Sequence, residues 1–319
     1  MARSLVTGIA GFAGSHLADL LTSRGDEVQG IDREGAGTGT IQHLIERKRI
    51  RIHPLDIRDR AGLTDLIRRE QFDRIYHLAG LTFVPESFTA PEETLAVNLG
   101  GTLALFEATR AAAPGARILY VSSAAAYGDL DDPAHPVVES TPFRPNNPYG
   151  FTKAAGDLMA YQYARQNTLH IVRARPFNHT GPRQAPVFVC SEFAKAVAEM
   201  EAGRRPPELS VGNLEIGRDF SDVRDIVRGY ALLLERGSAG SSFNLASGRA
   251  VKVGEILEML LTMSSIEVRV TEDPRKVRQG EVPSIVGSAE KAAREADWRP
   301  EIPFDQTLRD LLAWWRNRI

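Results

Sequence analysis

The chain has 319 residues, 43% of them hydrophobic and 25% charged, with a formal net charge of −2. That length suits two domains or one large α/β unit. There is no basic excess to neutralise a phosphate backbone and no apolar run near the roughly 18 residues a membrane-spanning helix needs, so neither nucleic acid nor membrane is an expected partner.

In chain order, the opening MARSLVTGIAG has its apolar run broken by threonine and glycine and reads as the start of the fold, not as a signal peptide. Residues 4–7 (SLVT) read as a strand, 14–23 as a helix, and 27–31 and 50–53 as two more strands. A helix at 63–69, a strand at 74–77, a long helix at 94–111 and a strand at 117–121 follow. A helix at 147–166 and a strand at 169–174 close this half. The alternation predicts βαβ units, hence a doubly wound parallel α/β sheet with helices on both faces.

After Arg175 the rhythm changes. Residues 176–219 read as loop-rich, with one helix near 191–202. There lies the only cysteine, Cys190, which excludes an intramolecular disulfide, fits a reducing cytoplasm, and reads as a small packed residue. A helix at 221–235 starts at Ser221 or Asp222 as N-cap, and 242–246 is strand-like. Helices near 253–263, 289–295 and 306–316 and a strand at 266–270 complete the chain. The expected division is a nucleotide-binding domain of 1–175 plus about 221–246, and a substrate domain of about 176–220 plus 247–319.

TGIAGFAG, residues 7–14, follows the first strand and opens the first helix. Gly8 allows a tight turn, Gly11 lets backbone N–H groups approach a pyrophosphate, and Gly14 lets helix and strand pack closely. The helix N-terminus then faces the phosphates. Asp32 ends the second strand, where a carboxylate takes adenosine ribose hydroxyls. Arg33 is adjacent and suits a 2′-phosphate, so NAD and NADP both stay open. Asp56 and Ile57 follow the third strand; Asp56 reads equally as an adenine-edge residue and as a helix cap.

NPYGFTKAAGD places Tyr149 and Lys153 four apart, on one face of a helix that Asn147 caps and Pro148 begins. A lysine ammonium nearby favours a phenolate and lowers the tyrosine pKa. Ser123, at the end of a strand, can bond the same substrate oxygen. Ser123, Tyr149 and Lys153 are therefore the expected catalytic residues.

With these motifs in order, the sequence resembles the extended short-chain dehydrogenase/reductases that act on nucleotide sugars. TGIAGFAG, HLAG, NLGGT, VSSAAAYG, YGFTK, ARPFNHTGP, VGNLEIGRDFSDVRD, NLASG and RQGEVPSIVGS carry the resemblance over nearly the whole chain. The later segments look most like the GDP-sugar branch, which holds 4,6-dehydratases and 4-keto-6-deoxymannose reductases. The resemblance implies a Rossmann-type fold with a smaller C-terminal domain. For the dinucleotide it implies Phe12, Ala13, Leu78, Ala79, Gly80, Asn98 and Pro176, alongside Tyr149 and Lys153. For the sugar nucleotide it implies Ser123, Ala124, Asn178, Val189, Lys195, Arg218, Arg278 and Glu281. His77 and His179 read as scaffold, and no metal is expected.

Dehydratases of this kind place acids between the serine or threonine and the next tyrosine, because removing water from the sugar needs a base and an acid. Here Ala124, Ala125 and Ala126 follow Ser123. The expected reaction is reduction of a GDP-linked 6-deoxy-4-keto sugar by NADH or NADPH. A 4-epimerase holding NAD tightly, a dehydratase with a displaced acid such as Glu86, and a redox sensor are the alternatives. Apolar surplus on the helices near 94–111 and 147–166 (Leu103, Leu105, Leu158, Met159, Tyr163) predicts a homodimer through four helices.

Overall fold

The computed structural model describes residues 1–166, 168–274 and 284–319. The first half runs β1 (Arg3–Thr7), α1 (Phe12–Ser23), β2 (Glu27–Asp32), α2 (Gln42–Glu46), β3 (Ile50–Pro54), α3 (Arg60–Glu70), β4 (Arg74–His77). It continues through α4 (Val84–Thr89), α5 (Pro91–Leu95), α6 (Gly101–Ala112), β5 (Arg117–Val121), α7 (Pro148–Arg165) and β6 (His170–Pro176). The second half runs β7 (Asn178–Thr180), α8 (Val189–Glu201), β8 (Glu208–Val211), β9 (Gly217–Asp222), α9 (Val223–Arg236), β10 (Ser242–Leu245), β11 (Ala250–Lys252). It ends with α10 (Val253–Thr262), β12 (Arg269–Glu272), β13 (Ser284–Ile285), α11 (Glu290–Ala296) and α12 (Phe304–Arg316).

Seven parallel strands form one sheet in the order β10-β6-β5-β4-β1-β2-β3. Side chains alternate faces along each strand, so β1 sends Val6 into one core and Leu5 into the other. The Val6 side is filled by Leu17 and Leu21 of α1 and Ile226, Tyr230 and Leu233 of α9. The Leu5 side is filled by Leu63 and Ile67 of α3 and Leu105 and Phe106 of α6. Each such side chain, fully buried, contributes about 1.5–3 kcal/mol. Strand order reverses between β1 and β4, so their C-terminal loops diverge and leave a crevice there, where ligands of such sheets bind.

A smaller unit follows. In it β9 pairs with β11, β13 and β7, while β8 pairs with β12. Phe193, Val197, Ile256, Leu260, Leu308 and Leu312 of α8, α10 and α12 form its core. Within the 221–246 stretch, α9 and β10 pack on the larger unit.

Several elements differ from the sequence reading. α1 starts at Phe12, two residues early, because Gly11 is extended and serves as its N-cap. The long helix at 94–111 is interrupted: residues 96–100 form a π-helical turn between α5 and α6. The extra residue turns Asn98 inward, where its amide bonds the Leu81 N–H and C=O and Thr152. The strand at 266–270 lies instead at 269–272, held in register by β8. The loop-rich 176–219 stretch contains β7 and β8 and the start of β9, strands too short to show a period. Asp222, not Ser221, caps α9, accepting from the Arg224 N–H at 2.7 Å, and Ser221 lies in β9. Asp59 caps α3, not Asp56. Residues 290–298, expected with the substrate domain, join the larger unit's core: Ala292, Ala296 and Trp298 pack with α9, and the Trp298 indole donates to the Asp225 carbonyl at 2.8 Å.

Candidate active site

The Gly8–Gly14 turn leaves β1 at the sheet's crevice. Gly8 has φ +70°, and a Cβ on Gly14 would stand 2.1 Å from the Gly8 carbonyl oxygen, so helix and turn touch only because both are glycine. First-turn N–H groups of a helix have no intrahelical acceptor, and those of α1 face a turn without side-chain bulk. This cradle fits a pyrophosphate. Asp32, at the end of β2, accepts from the Ala10 and Arg33 N–H groups at 3.1 and 3.0 Å and so braces the turn. The exposed Arg33 guanidinium has no side-chain partner among the described residues. Asp56 is tied to Arg58 at 2.6 Å, which holds its carboxyl below the usual range. Ile57 is buried beneath α6 in the core.

The loop after β4 is fixed from below. Thr7 Oγ1 accepts from the Leu78 and Ala79 N–H groups at 3.1 and 3.0 Å and stands 2.9 Å from His77 Nδ1. With its acceptor capacity taken, the Thr7 hydroxyl must donate, so His77 Nδ1 accepts and its Nε2–H donates to Thr102 Oγ1 at 2.9 Å. Thr102 donates to the Asn98 carbonyl at 2.6 Å. Burial, aided by the Lys153 charge, pushes His77 down to about 3, so it is a neutral brace. Gly80 adjoins both Asn98 Oδ1 and Lys153 Nζ.

Ser123, Tyr149 and Lys153 come together at the end of β5. Ser123 caps the short 3₁₀ turn Ala124–Ala126, accepting from the Ala125 N–H at 3.1 Å. The Ser123 side chain lies close enough to the Tyr149 hydroxyl to pull its pKa down. Asn147 and Pro148 start α7 as expected, with Asn147 accepting from the Gly150 N–H at 2.8 Å. Lys153, 5% exposed, donates to the Val121 carbonyl at 2.9 Å, and its ammonium lies 6.0 Å from the Tyr149 ring centre. The expected lowering of the phenol by Lys153 is not what this geometry gives. Burial raises the Tyr149 pKa above its ordinary value, with Ser123 pulling the other way. Burial also lowers Lys153, to about 8. At neutral pH the phenol keeps its proton and the ammonium its charge, which is the form that donates to a developing oxyanion.

One turn beyond Lys153, the fully buried Asp157 takes a bidentate bond from Arg175 (2.9 and 2.8 Å) and a further one from Arg173. This clamp fastens α7 to β6. Sequence reasoning missed it, although the strand motif RAR opposite an acid one turn past the lysine is a readable signal.

The remaining predicted residues spread outward from this centre. Pro176 is buried at the end of β6 and Asn178 is exposed at the start of β7. Ala124 is buried and Ala125 half-buried. Val189 is the first residue of α8, and Lys195 on the same helix pairs with Glu199 at 3.5 Å and lies over the Trp315 ring. Arg218, half-buried on β9, donates to the Gly217 carbonyl at 2.7 Å. Arg278 and Glu281 lie outside the described residues. His179 stacks on Phe12 with ring centres 5.8 Å apart and donates from Nδ1 to the Phe177 carbonyl at 3.0 Å. Glu86 lies in the first turn of α4. Cys190 is buried, its thiol pushed up to about 12. Among the described residues no group of three His, Cys, Asp or Glu side chains could hold a metal, and no helix is long and apolar enough to cross a membrane.

A family model described as GDP-mannose 4,6 dehydratase matches residues 5–311. The GDP-6-deoxy-D-mannose reductase of Pseudomonas aeruginosa is 35% identical over 317 residues, covering 99% of this chain and 98% of that protein. The human GDP-mannose 4,6 dehydratase is 28% identical, covering 97% and 90%. The solved structure of RMD from Pseudomonas aeruginosa complexed with NADPH superposes with a TM-score of 0.86 at 33% identity, covering all of both chains.

Proposed function

Because the chain belongs to the GDP-mannose 4,6-dehydratase family, we propose that it reduces the 4-keto group of GDP-4-keto-6-deoxy-D-mannose to GDP-6-deoxy-D-mannose with NAD(P)H. The observation that carries this reading is the Ser123–Tyr149–Lys153 set beside a turn built only of alanine. Hydride transfer to a ketone needs one proton donor and a stabiliser for the forming oxyanion. Expelling water needs further acid–base groups, and Ala124–Ala126 have no proton to exchange.

When bound, the reduced dinucleotide supplies hydride to carbon 4. Tyr149 would give its proton to the carbonyl oxygen, Ser123 would donate a hydrogen bond to the same oxygen, and Lys153 would hold the nicotinamide ribose. Gly8, Gly11, Phe12, Ala13 and Gly14 would hold the pyrophosphate, and Leu78, Ala79, Gly80 and Pro176 would line the rest of the dinucleotide site. The Arg33 guanidinium, exposed and without a side-chain hydrogen bond among the described residues, favours a 2′-phosphate, hence NADPH over NADH. The smaller unit takes the sugar nucleotide through Asn178, Val189, Lys195 and Arg218, and Arg278 and Glu281 by likeness to the family. The buried, unpaired Cys190 supports a reducing, cytoplasmic setting.

A homodimer is part of the same reading, with corrected residues. Leu105 is fully buried, and Met159 and Tyr163 pack on the larger unit's core, so they are not free for a partner. Leu95, Leu103, Phe151, Leu158 and Tyr161 are the exposed ones, 37–58% accessible. They give α5–α6 and α7 the surface a second copy would cover. The deciding experiment is incubation with GDP-4-keto-6-deoxymannose and NADPH or NADH, with product identification. Formation of GDP-6-deoxy-D-mannose supports the proposal; water loss from GDP-mannose at a comparable rate would sink it.

A further inference from the structure

Asp219 sits in the middle of β9 and is 1% exposed. Among the described residues its carboxylate takes four hydrogen bonds, all from loops distant in sequence. Oδ1 accepts from the Ser247 N–H at 2.7 Å and the Ser247 hydroxyl at 2.6 Å. Oδ2 accepts from the Gly248 N–H at 3.0 Å and the Gly287 N–H at 3.1 Å. A carboxylate buried this deeply is costly unless its lone pairs are met, and here they are met by three backbone amides and one hydroxyl. Burial raises its pKa while the four donors pull it down.

The position of this knot matters. β9 is the strand on which β7, β11 and β13 converge. Arg218 precedes Asp219, and alternation sends their side chains to opposite faces. On β7, Asn178 is paired with Phe220, the next residue of β9. Arg218 itself is paired with Val251 on one side and Ile285 on the other. The Gly287 stretch is held a second time, since the Val137 N–H donates to the Val286 carbonyl and the Ser288 N–H to the Val137 carbonyl, both at 2.8 Å. Asp219 thus ties, behind the strand, the turns that flank Arg218 in front.

We infer that Asp219 is a positioning residue for the sugar-nucleotide diphosphate: by gathering the Ser247–Gly248 and Gly287 turns onto β9 it sets Arg218 and Asn178 in binding register. This rests on the assignment of Arg218 and Asn178 to the substrate made above. Asp219 touches no substrate itself, so its effect falls on affinity and not on the chemical step.

Asp219→Asn tests it. The amide keeps one acceptor but turns an NH₂ group toward backbone donors. First, GDP, UDP and dTDP are titrated calorimetrically into wild type, and the tightest binder is carried to the variants. Asp219→Asn is expected to weaken that diphosphate at least tenfold and to raise KM for the sugar nucleotide in parallel. kcat is expected to stay within threefold and NADPH affinity within twofold, which a general loss of structure would not leave intact. Should Asp219→Asn not fold, Ser247→Ala removes only the hydroxyl bond and is expected to weaken the diphosphate about threefold. Diphosphate affinity within error of wild type in folded Asp219→Asn, or in Ser247→Ala if that is the only folded variant, overturns the inference. A wild type preferring UDP or dTDP overturns the GDP assignment alone, because the Asp219 comparison then proceeds with that ligand. A wild type that binds none of the three overturns both.

Discussion

In the proposed reduction, Tyr149 and Lys153 divide the protonic work by their surroundings. Burial holds the phenol protonated and brings the ammonium to about 8, so at pH 7 one has a proton to give and the other a charge to offer. Tyr149→Phe is expected to lower kcat by about 10²–10⁴-fold with KM for NADPH little changed, measured by steady-state kinetics. Arg33 makes a separate prediction. Losing a charge-assisted pair to a 2′-phosphate costs about 1.5–3 kcal/mol, so Arg33→Ala should raise KM for NADPH roughly 10–100-fold while NADH is nearly unaffected. Buried histidines set the acid limit of stability. His77 is lowered to about 3 and His16 to about 4, both chiefly by burial. Between those values and the ordinary 6.5 the unfolded chain binds protons that the folded one refuses, so stability falls as pH falls through that window. Each contributes a slope of about 1.4 kcal/mol per pH unit. Urea unfolding at pH 7, 6 and 5 should show that slope, and His16→Gln, which keeps a donor for the Pro182 carbonyl, should remove the His16 share and leave that of His77. Among single residues, Tyr149 and Lys153 are legible in the sequence because they lie one helical turn apart, and Ser123 because it follows a strand. His77 is legible as scaffold but not its partners Thr7 and Thr102, and the Asp219 role is not legible, since every partner that defines it comes from another segment of the chain.

At the scale of elements, what could be read beforehand follows from how the element is specified. α7 is announced by its own cap and proline, and the β-branched runs of β1, β4 and β5 have their observed limits to within a residue. The π-helical turn at 96–100 is specified by Asn98 reaching the Leu81 backbone, a tertiary contact that no periodicity betrays. Likewise β7 has three residues and exists because β9 offers it a ladder. The Gly8–Gly14 turn was readable because steric need leaves only one residue type. Gly14→Ala, with its methyl against the Gly8 carbonyl, should destabilise the protein by about 1–3 kcal/mol, seen as a lower Tm. It should weaken NADPH and NADH alike, in contrast to Arg33→Ala.

For the whole molecule, the exposed apolar residues of α6 and α7 are where the proposed dimer is tested. Phe151 and Leu158 lie seven apart, two turns along one face of α7, and are 51% and 58% accessible. The double change Phe151→Glu, Leu158→Glu should give a monomeric mass by light scattering with the fold intact; a wild type that is already monomeric would refute the dimer. The two units are also joined near the site, where His16 donates to the Pro182 carbonyl at 2.8 Å and Phe12 stacks on His179.

The late arrival of β10 has a consequence for biosynthesis. β10 is hydrogen-bonded to β6, yet 65 residues separate Pro176 from Ser242, and the helix that roofs that end of the sheet, α9, lies between them. Trp298 seals the same core from farther still. A nascent chain that has emerged only as far as β6 therefore shows an unpaired strand edge and a bare apolar face, the features that invite aggregation. Ribosome-bound fragments ending near residue 180 should need chaperone cover, and those extended past residue 300 should shed it.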